Sequence, residues 1–231
     1  MKVKKMKQRY KTELHAHTSP VSGCSDIDAK KLVEIYKENG YDSVVITNHF
    51  TTKLNGENAA EKVKWYLQDY YNCCEQGALA GLNIILGAEI RFTENLNDYL
   101  IFGISLEDLI DIYKMLPYGI DAFYREWKNE KNIIIQAHPF RDGMQYVKPE
   151  SLDGIEVFNM HPNHNSRIAL AAKYAKKNNM IATCGSDFHH FGQECLCGIL
   201  TKEPLKSSYD VCDVLKKQDY NMCIGDYLIS L

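Results

Sequence analysis

No stretch of this 231-residue sequence approaches the roughly 20 consecutive apolar residues of a membrane-spanning helix, so no membrane partner is expected. The basic opening MKVKKMKQRYK is followed by no apolar run. It is expected to be neither a signal peptide nor an anchor, which makes a cytoplasmic location the default. Charge of one sign is also lacking. Lysine and arginine number 27 against 30 aspartate and glutamate, a formal net charge of -3. That balance makes nucleic acid an unlikely partner, because domains held by phosphate contacts are clearly basic. The eight cysteines contain no CxxC pair, and Cys195-x-Cys197 has no partner pair at zinc-finger spacing. Cys24, Cys73, Cys74, Cys184, Cys195, Cys197, Cys212 and Cys223 are therefore expected to be free thiols, mainly small core residues. No linker, repeat or low-complexity tract divides the chain, and its length suits one domain over residues 1–231 with a full core.

What the sequence does have is alternation. Residues 12–17 read as a strand. Residues 28–39 carry Leu32, Ile35 and Tyr36 at helical spacing, with Gly40 placed to end the helix. Residues 43–47, 83–88, 99–104, 132–137, 154–159, 180–184 and 198–201 read as further strands, several of them apolar enough to be buried. Residues 57–80, 106–116, 120–131, 163–178 and 208–218 read as helices. On the long second helix, Trp65, Tyr66, Tyr70 and Tyr71 are expected to pack against the sheet. Strands alternating with helices predict an α/β fold with a parallel sheet, open or closed.

The polar residues fall where the apolar strands stop. His15 and His17 end the first strand, His49 the second and Glu89 the third. Residues 132–137 run into His138, and residues 180–184 run into Asp187 and His189. In a closed β/α barrel all strands end on one face, where active sites are found, so these residues would converge. Residues i and i+2 of an extended chain point the same way, which pairs His15 with His17 and Asp187 with His189. Imidazoles mixed with carboxylates suit zinc, iron or manganese better than calcium or magnesium. Seven candidate ligands exceed what one tetrahedral ion needs, so two or more divalent ions are expected, with Glu89 the candidate to bridge. Each motif alone has a bland reading as a hydrogen-bonded or solvated histidine; their joint occurrence at five strand ends favours metal.

Taken in order, ELHAHT, VITNH, GAEI, QAHPF and GSDFHH resemble the PHP family of polymerase and histidinol phosphatase domains, over residues 13 to 198. The resemblance implies a distorted (β/α)7 TIM-like barrel with a two- or three-metal site at its mouth. It implies that His15, His17, Glu89 and Asp187 hold one ion, Glu89 and His138 a second, and His49 and His189 a third. The sequence departs from the family where some members place a ligand soon after HxH: here stand Ser22, Ser25 and Asp26. Ser105 replaces a histidine expected after the strand that follows Glu89, and Asp98 begins that strand, at its far end.

The expected activity is that of a metal-dependent phosphoesterase, acting on a small phosphorylated metabolite through metal-activated water and needing no serine or cysteine nucleophile. Glu89, Asp187 and His189 would be catalytic. Arg141 is a candidate phosphate clamp, and His190, His161 and His164 are candidates for substrate contact. Phe50, Phe140 and Phe188 flank proposed ligands, either walling the site or packing the barrel. Other readings stay open: an amidohydrolase-type C–N hydrolase, a phosphotyrosine phosphatase or nuclease on the same metals, or a degenerate, non-catalytic PHP domain.

Overall fold

The computed structural model describes residues 9–229. The strands are β1 (Tyr10–Ala16), β2 (Ser43–Ile46), β3 (His49–Phe50), β4 (Asn83–Leu86), β5 (Ala88–Ile90), β6 (Tyr99–Phe102), β7 (Ile133–Gln136), β8 (Gly154–Asn159), β9 (Ile181–Gly185), β10 (Cys197–Thr201), β11 (Asn221–Ile224) and β12 (Tyr227–Ile229). The helices are α1 (Ala29–Glu38), α2 (Ala59–Ala80), α3 (Asp108–Met115), α4 (Gly119–Glu126), α5 (Ile168–Lys177) and α6 (Ser208–Lys217).

Local chemistry explains the helix ends. Asp28 accepts the Lys31 N–H at 2.8 Å to start α1, and Gly40, at φ +73°, lets the chain turn away after it. Asn58 accepts the Glu61 N–H at 3.1 Å to start α2. Ser207 and Asp210 form a reciprocal capping box at the start of α6. From α2, Tyr66 is buried against the sheet and donates to the Gly87 carbonyl at 2.9 Å, whereas Tyr71 is exposed.

The strands form two six-stranded sheets rather than one closed cylinder, in the orders β12-β11-β10-β1-β2-β4 and β3-β5-β6-β7-β8-β9. The break lies where β2 passes into β3 and β4 into β5, so two adjacent strands bend from one sheet into the other. Gly87 sits in that bend. A Cβ there would stand 2.7 Å from the Val45 Cγ1, so a larger residue would push the strands apart. The expected parallel arrangement holds for β1-β2-β4 and for β7-β8-β9. It fails at β6, antiparallel to both neighbours, and at β10, antiparallel to β1 and β11. Residues of β6 and most of β7 are sealed on both faces, which is why they read as unbroken apolar runs.

Two features bear on the site. Reversal of β6 places its first residues beside the last residues of β5 and β7; the Ala137 N–H donates to the Asp98 carbonyl at 2.9 Å. The chain after β9 docks on the end of β1, where the His17 N–H donates to the Phe188 carbonyl at 3.0 Å. Strand ends from both sheets thus meet at one mouth.

All eight cysteines are free, and Cys73, Cys184, Cys197, Cys212 and Cys223 are buried as expected of core thiols; Cys24 is exposed. Phe50 and Phe188 pack edge-on against Tyr66 and Tyr36 in the core, so for these two the packing reading applies. No helix of the described residues is long and apolar enough to cross a membrane.

Candidate metal centre

β1 and the residue that follows it deliver His15 and His17 to the mouth, both fully buried. Each ring is oriented from behind. The His15 Nδ1 lies 2.9 Å from the Glu156 carboxylate of β8, and the His17 Nδ1 lies 3.1 Å from the Ser22 hydroxyl. Their Nε2 atoms therefore point inward, toward Glu89 of β5 and Asp187 of the loop after β9. The His15 Nε2 lies 3.3 Å from Glu89 and 3.4 Å from Asp187; the His17 Nε2 lies 3.6 Å and 3.4 Å from the same two carboxylates. Glu89 is the hub, with the His49 Nδ1 at 2.6 Å and the His138 Nε2 at 3.1 Å. His189 has its Nδ1 2.9 Å from the Asp187 carbonyl, and its ring stacks on His17 at 4.1 Å.

The donor set fits divalent metal. Among the described residues, the buried Nε2 atoms of His15 and His17 have no hydrogen-bond partner. Buried polar atoms are normally satisfied, so two orphans aimed at the same pair of carboxylates call for a ligand. Two donors about 2.0–2.2 Å from a shared ion stand roughly 3–3.6 Å apart, the range of the four His–carboxylate separations above. Donor atoms of His15, His17 and Glu89, of His17, His49 and His189, and of His49, Glu89 and Asp98 also lie within 4.8 Å of one another in three groups.

Charge follows position. Burial works against ionisation of Glu89 and Asp187, but the surrounding imidazoles outweigh it and hold both carboxyls well below their ordinary values. Burial likewise opposes charge on His15, yet Glu156, Asp187 and Glu89 raise it well above the usual imidazole range. His49 is raised to about 10, with Glu89 overcoming burial. His17 is lowered, first by burial and then by His189 and His49. Carboxylates and imidazoles thus pair by charge in the centre, and metal binding there would release protons.

Several residues not singled out by sequence complete the centre. Glu156 accepts the His138 N–H at 3.0 Å while its other oxygen orients His15; the signal available was a lone carboxylate in the apolar run GIEVFN. Asn159, the last residue of β8, bridges Glu156 and Asp187 at 2.9 and 3.0 Å. Arg91, next but one after Glu89, grips Asp98 with two bonds of 2.6 and 2.7 Å. Asp98 is not remote, as the sequence suggested: because β6 is reversed, it stands 3.8 Å from the His138 Nε2. Ser105, at the opposite end of that strand, interacts with Asp108 at the start of α3 instead. Asp26 faces His190 at 3.2 Å on the rim, away from His17. His164 reaches Asp187 at 3.3 Å and stacks on His161 at 3.8 Å.

A cavity of about 210 Å³ opens on the cluster, lined by Cys24, His49, Glu89, Arg91, His138, Arg141, His161, His164, Asp187, His189 and His190. The substrate candidates Arg141, His161 and His190 thus share one chamber with the ligand candidates His49, Glu89, His138, Asp187 and His189, while His15 and His17 do not line it. A neighbouring cavity of about 340 Å³ shares Arg141 and is walled by Phe140, Tyr146 and Tyr174, but holds none of the donors.

Orientation by Glu156 has a measurable consequence. Glu156→Gln keeps the shape but removes the acceptor charge behind His15; affinity for the first ion is expected to fall about 10–100-fold, read by competition with a chromogenic chelator.

Comparisons with known proteins agree with this picture. Residues 13–220 match the profile of the PHP domain family. A two-domain protein from Bacteroides vulgatus, described as containing a predicted PHP-like metal-dependent phosphoesterase, aligns with a TM-score of 0.68 at 17% identity, over 96% of this chain and 67% of its own. PsfC from Pseudomonas syringae aligns at 0.64 and 16% identity, over 89% and 88%. An amidohydrolase from Chromobacterium violaceum with bound sulfate and no metal aligns at 0.52 and 12% identity, over 93% and 98%. These structural likenesses speak to fold alone. No curated protein matches the chain. With its five motifs gathered at one mouth and its profile matched across most of its length, the chain belongs to the PHP domain family.

Proposed function

We propose that the chain is a metal-dependent phosphoesterase acting on a small phosphorylated metabolite, of histidinol-phosphate or nucleotide-phosphate type. The observation that carries this reading is a juxtaposition: the metal-type donors His49, Glu89, His138, Asp187 and His189 line one small cavity together with two guanidinium groups, Arg91 and Arg141. Arginine forks match phosphate geometry. His15, His17, Glu89 and Asp187 would hold one ion, Glu89, His138 and Asp98 a second, and His49 and His189 a third. Zinc, iron or manganese suits such donors.

Bound ions would supply Lewis acidity toward phosphate oxygens and a water acidic enough to react at neutral pH. The protein's own groups do the rest. Arg141 and Arg91 orient the phosphate and offset its charge. His161, lowered to about 4 mainly by burial, is neutral at pH 7 and contacts substrate by hydrogen bonding rather than by charge. His190, paired with Asp26 on the rim, is placed to hold the proton taken up by the leaving alcohol. The cavity walled by Tyr146 and Tyr174 lies where the organic part of a substrate can rest.

Screening the zinc-, iron- or manganese-loaded protein against phosphorylated metabolites, a phosphotyrosine peptide and N-acyl amides tests the reading. Phosphate release from small monoesters is expected; cleavage only of amides would favour the amidohydrolase-type alternative, and inactivity with every metal would sink the enzymatic reading. Against the amide alternative, no lysine lines the cavity, and Glu89 belongs to two of the three donor groups, as a bridging carboxylate would. Arg141→Ala is expected to raise KM about 10–100-fold with a smaller change in kcat, the loss of one charge-assisted hydrogen bond of about 1.5–3 kcal/mol.

A further inference from the structure

We propose that Cys24 is a metal ligand, completing the site of His49 and His189 with sulfur; the proposal rests on the metal-dependent reading above and deepens it. Family resemblance directs attention to Ser22, Ser25 or Asp26 for a ligand after HxH, and the structure places none of them there. Asp26 turns to His190, and the two serines have other partners.

Those serines determine where Cys24 goes. The Ser22 hydroxyl accepts the backbone N–H of His49 at 3.0 Å, and the Ser25 hydroxyl donates to the carbonyl of His189 at 3.0 Å. The loop is therefore bolted to both histidine-bearing segments, with Cys24 between the bolts. Its Sγ lies 3.2 Å from the His49 Nε2 and on the same cavity as His189. A nitrogen and a sulfur bound to one ion, at about 2.0–2.1 and 2.3 Å, stand roughly 3–3.6 Å apart.

An independent observation points to a cation at this place. The His17 Nε2 is fully buried and has no hydrogen-bond partner, and a ring nitrogen of His17 lies within 4.8 Å of ring nitrogens of both His49 and His189. Three imidazoles with gathered ring nitrogens, and a thiol against one of them, make a coherent donor set. If His17 serves the first ion, the site keeps two nitrogens and one sulfur, leaving a position for water or substrate, as catalytic zinc sites do. Sulfur biases it toward zinc, cobalt or ferrous iron and against magnesium or calcium. Cys24 binds as thiolate, its proton passing to solvent as the metal–sulfur bond forms.

The test uses the full chain, stripped with chelator and titrated with cobalt(II). Wild type is expected to develop thiolate-to-cobalt charge-transfer absorption in the near ultraviolet together with the visible bands of the metal. Cys24→Ser should lose the charge-transfer band, keep visible bands from the remaining ions, and bind the last ion about 100-fold more weakly. X-ray absorption of zinc-loaded wild type should show a sulfur shell at about 2.3 Å, absent in the variant. Metal loading should also slow alkylation of Cys24 by iodoacetamide, followed by mass spectrometry. Cobalt binding without the sulfur band, or a band that persists in Cys24→Ser, overturns the ligand while leaving the metal-dependent reading intact. Failure to bind cobalt at all overturns both. A trapped phosphocysteine at position 24 would replace the ligand with a nucleophile.

Discussion

Asp187→Asn is expected to lower phosphoesterase activity by about a thousandfold or more and to lose the first ion, while the protein still folds. The substitution isolates charge from shape. Asp187 sits at φ +52°, a left-handed conformation that strains most residues, but asparagine adopts it as readily as aspartate. Its Oδ1 lies 3.4 Å from the Nε2 of both His15 and His17, and its Oδ2 takes the Asn159 amide at 3.0 Å. An amide at this position would keep the bulk and remove the negative charge that the imidazoles face. Metal-derived stabilisation of a phosphoryl transition state is worth several kcal/mol, and each 1.36 kcal/mol is a factor of about ten in rate. Metal content by mass spectrometry and aryl phosphate hydrolysis check the two halves separately. Full activity in this variant would refute the site assignment.

Removal of metal is the second large effect. Chelation is expected to abolish activity and to lower Tm by about ten degrees relative to metal-saturated protein. Ions present at about a thousand times Kd contribute roughly 4 kcal/mol to the folded state, and each kcal/mol moves Tm by about 2–4 °C in a chain of this size. The buried charges account for part of this. Without cations, Glu89 and Asp187 are neutralised only by protonated imidazoles, and His15 and His49 are raised accordingly. Uptake of metal must displace those protons, so affinity is expected to fall as pH falls, with proton release on binding. Calorimetry with and without chelator at two pH values measures both. Unchanged Tm and activity after complete stripping would show the cluster to be a polar layer and nothing more.

Recognition sites of this kind divide into what a linear pattern can carry and what it cannot. The ligand candidates were legible because each stands at the end of an apolar strand, where chemistry and secondary structure change together. Glu156 lies inside such a strand, so its role behind His15 has no boundary to mark it. Asp98 was placed at the wrong end of the centre because alternation of strands and helices predicts parallel neighbours. β6 instead returns antiparallel, with no helix between β5 and β6. Arg91 and Cys24 sit beside motif residues, but nothing in their spacing says which way their side chains point. The closed barrel expected from family resemblance gives way to two six-stranded sheets, with Gly87 at the bend between β4 and β5.

By itself, the order of residues determined the α/β alternation, the burial of the apolar strands and the identity of the metal-type donors, because these depend on local periodicity and on the chemistry of single side chains. Only the tertiary structure decided strand direction, the bend between sheets, and which donors face one another. Those are properties of contacts between segments up to 191 residues apart, such as Tyr10 with Thr201, and no local pattern encodes them.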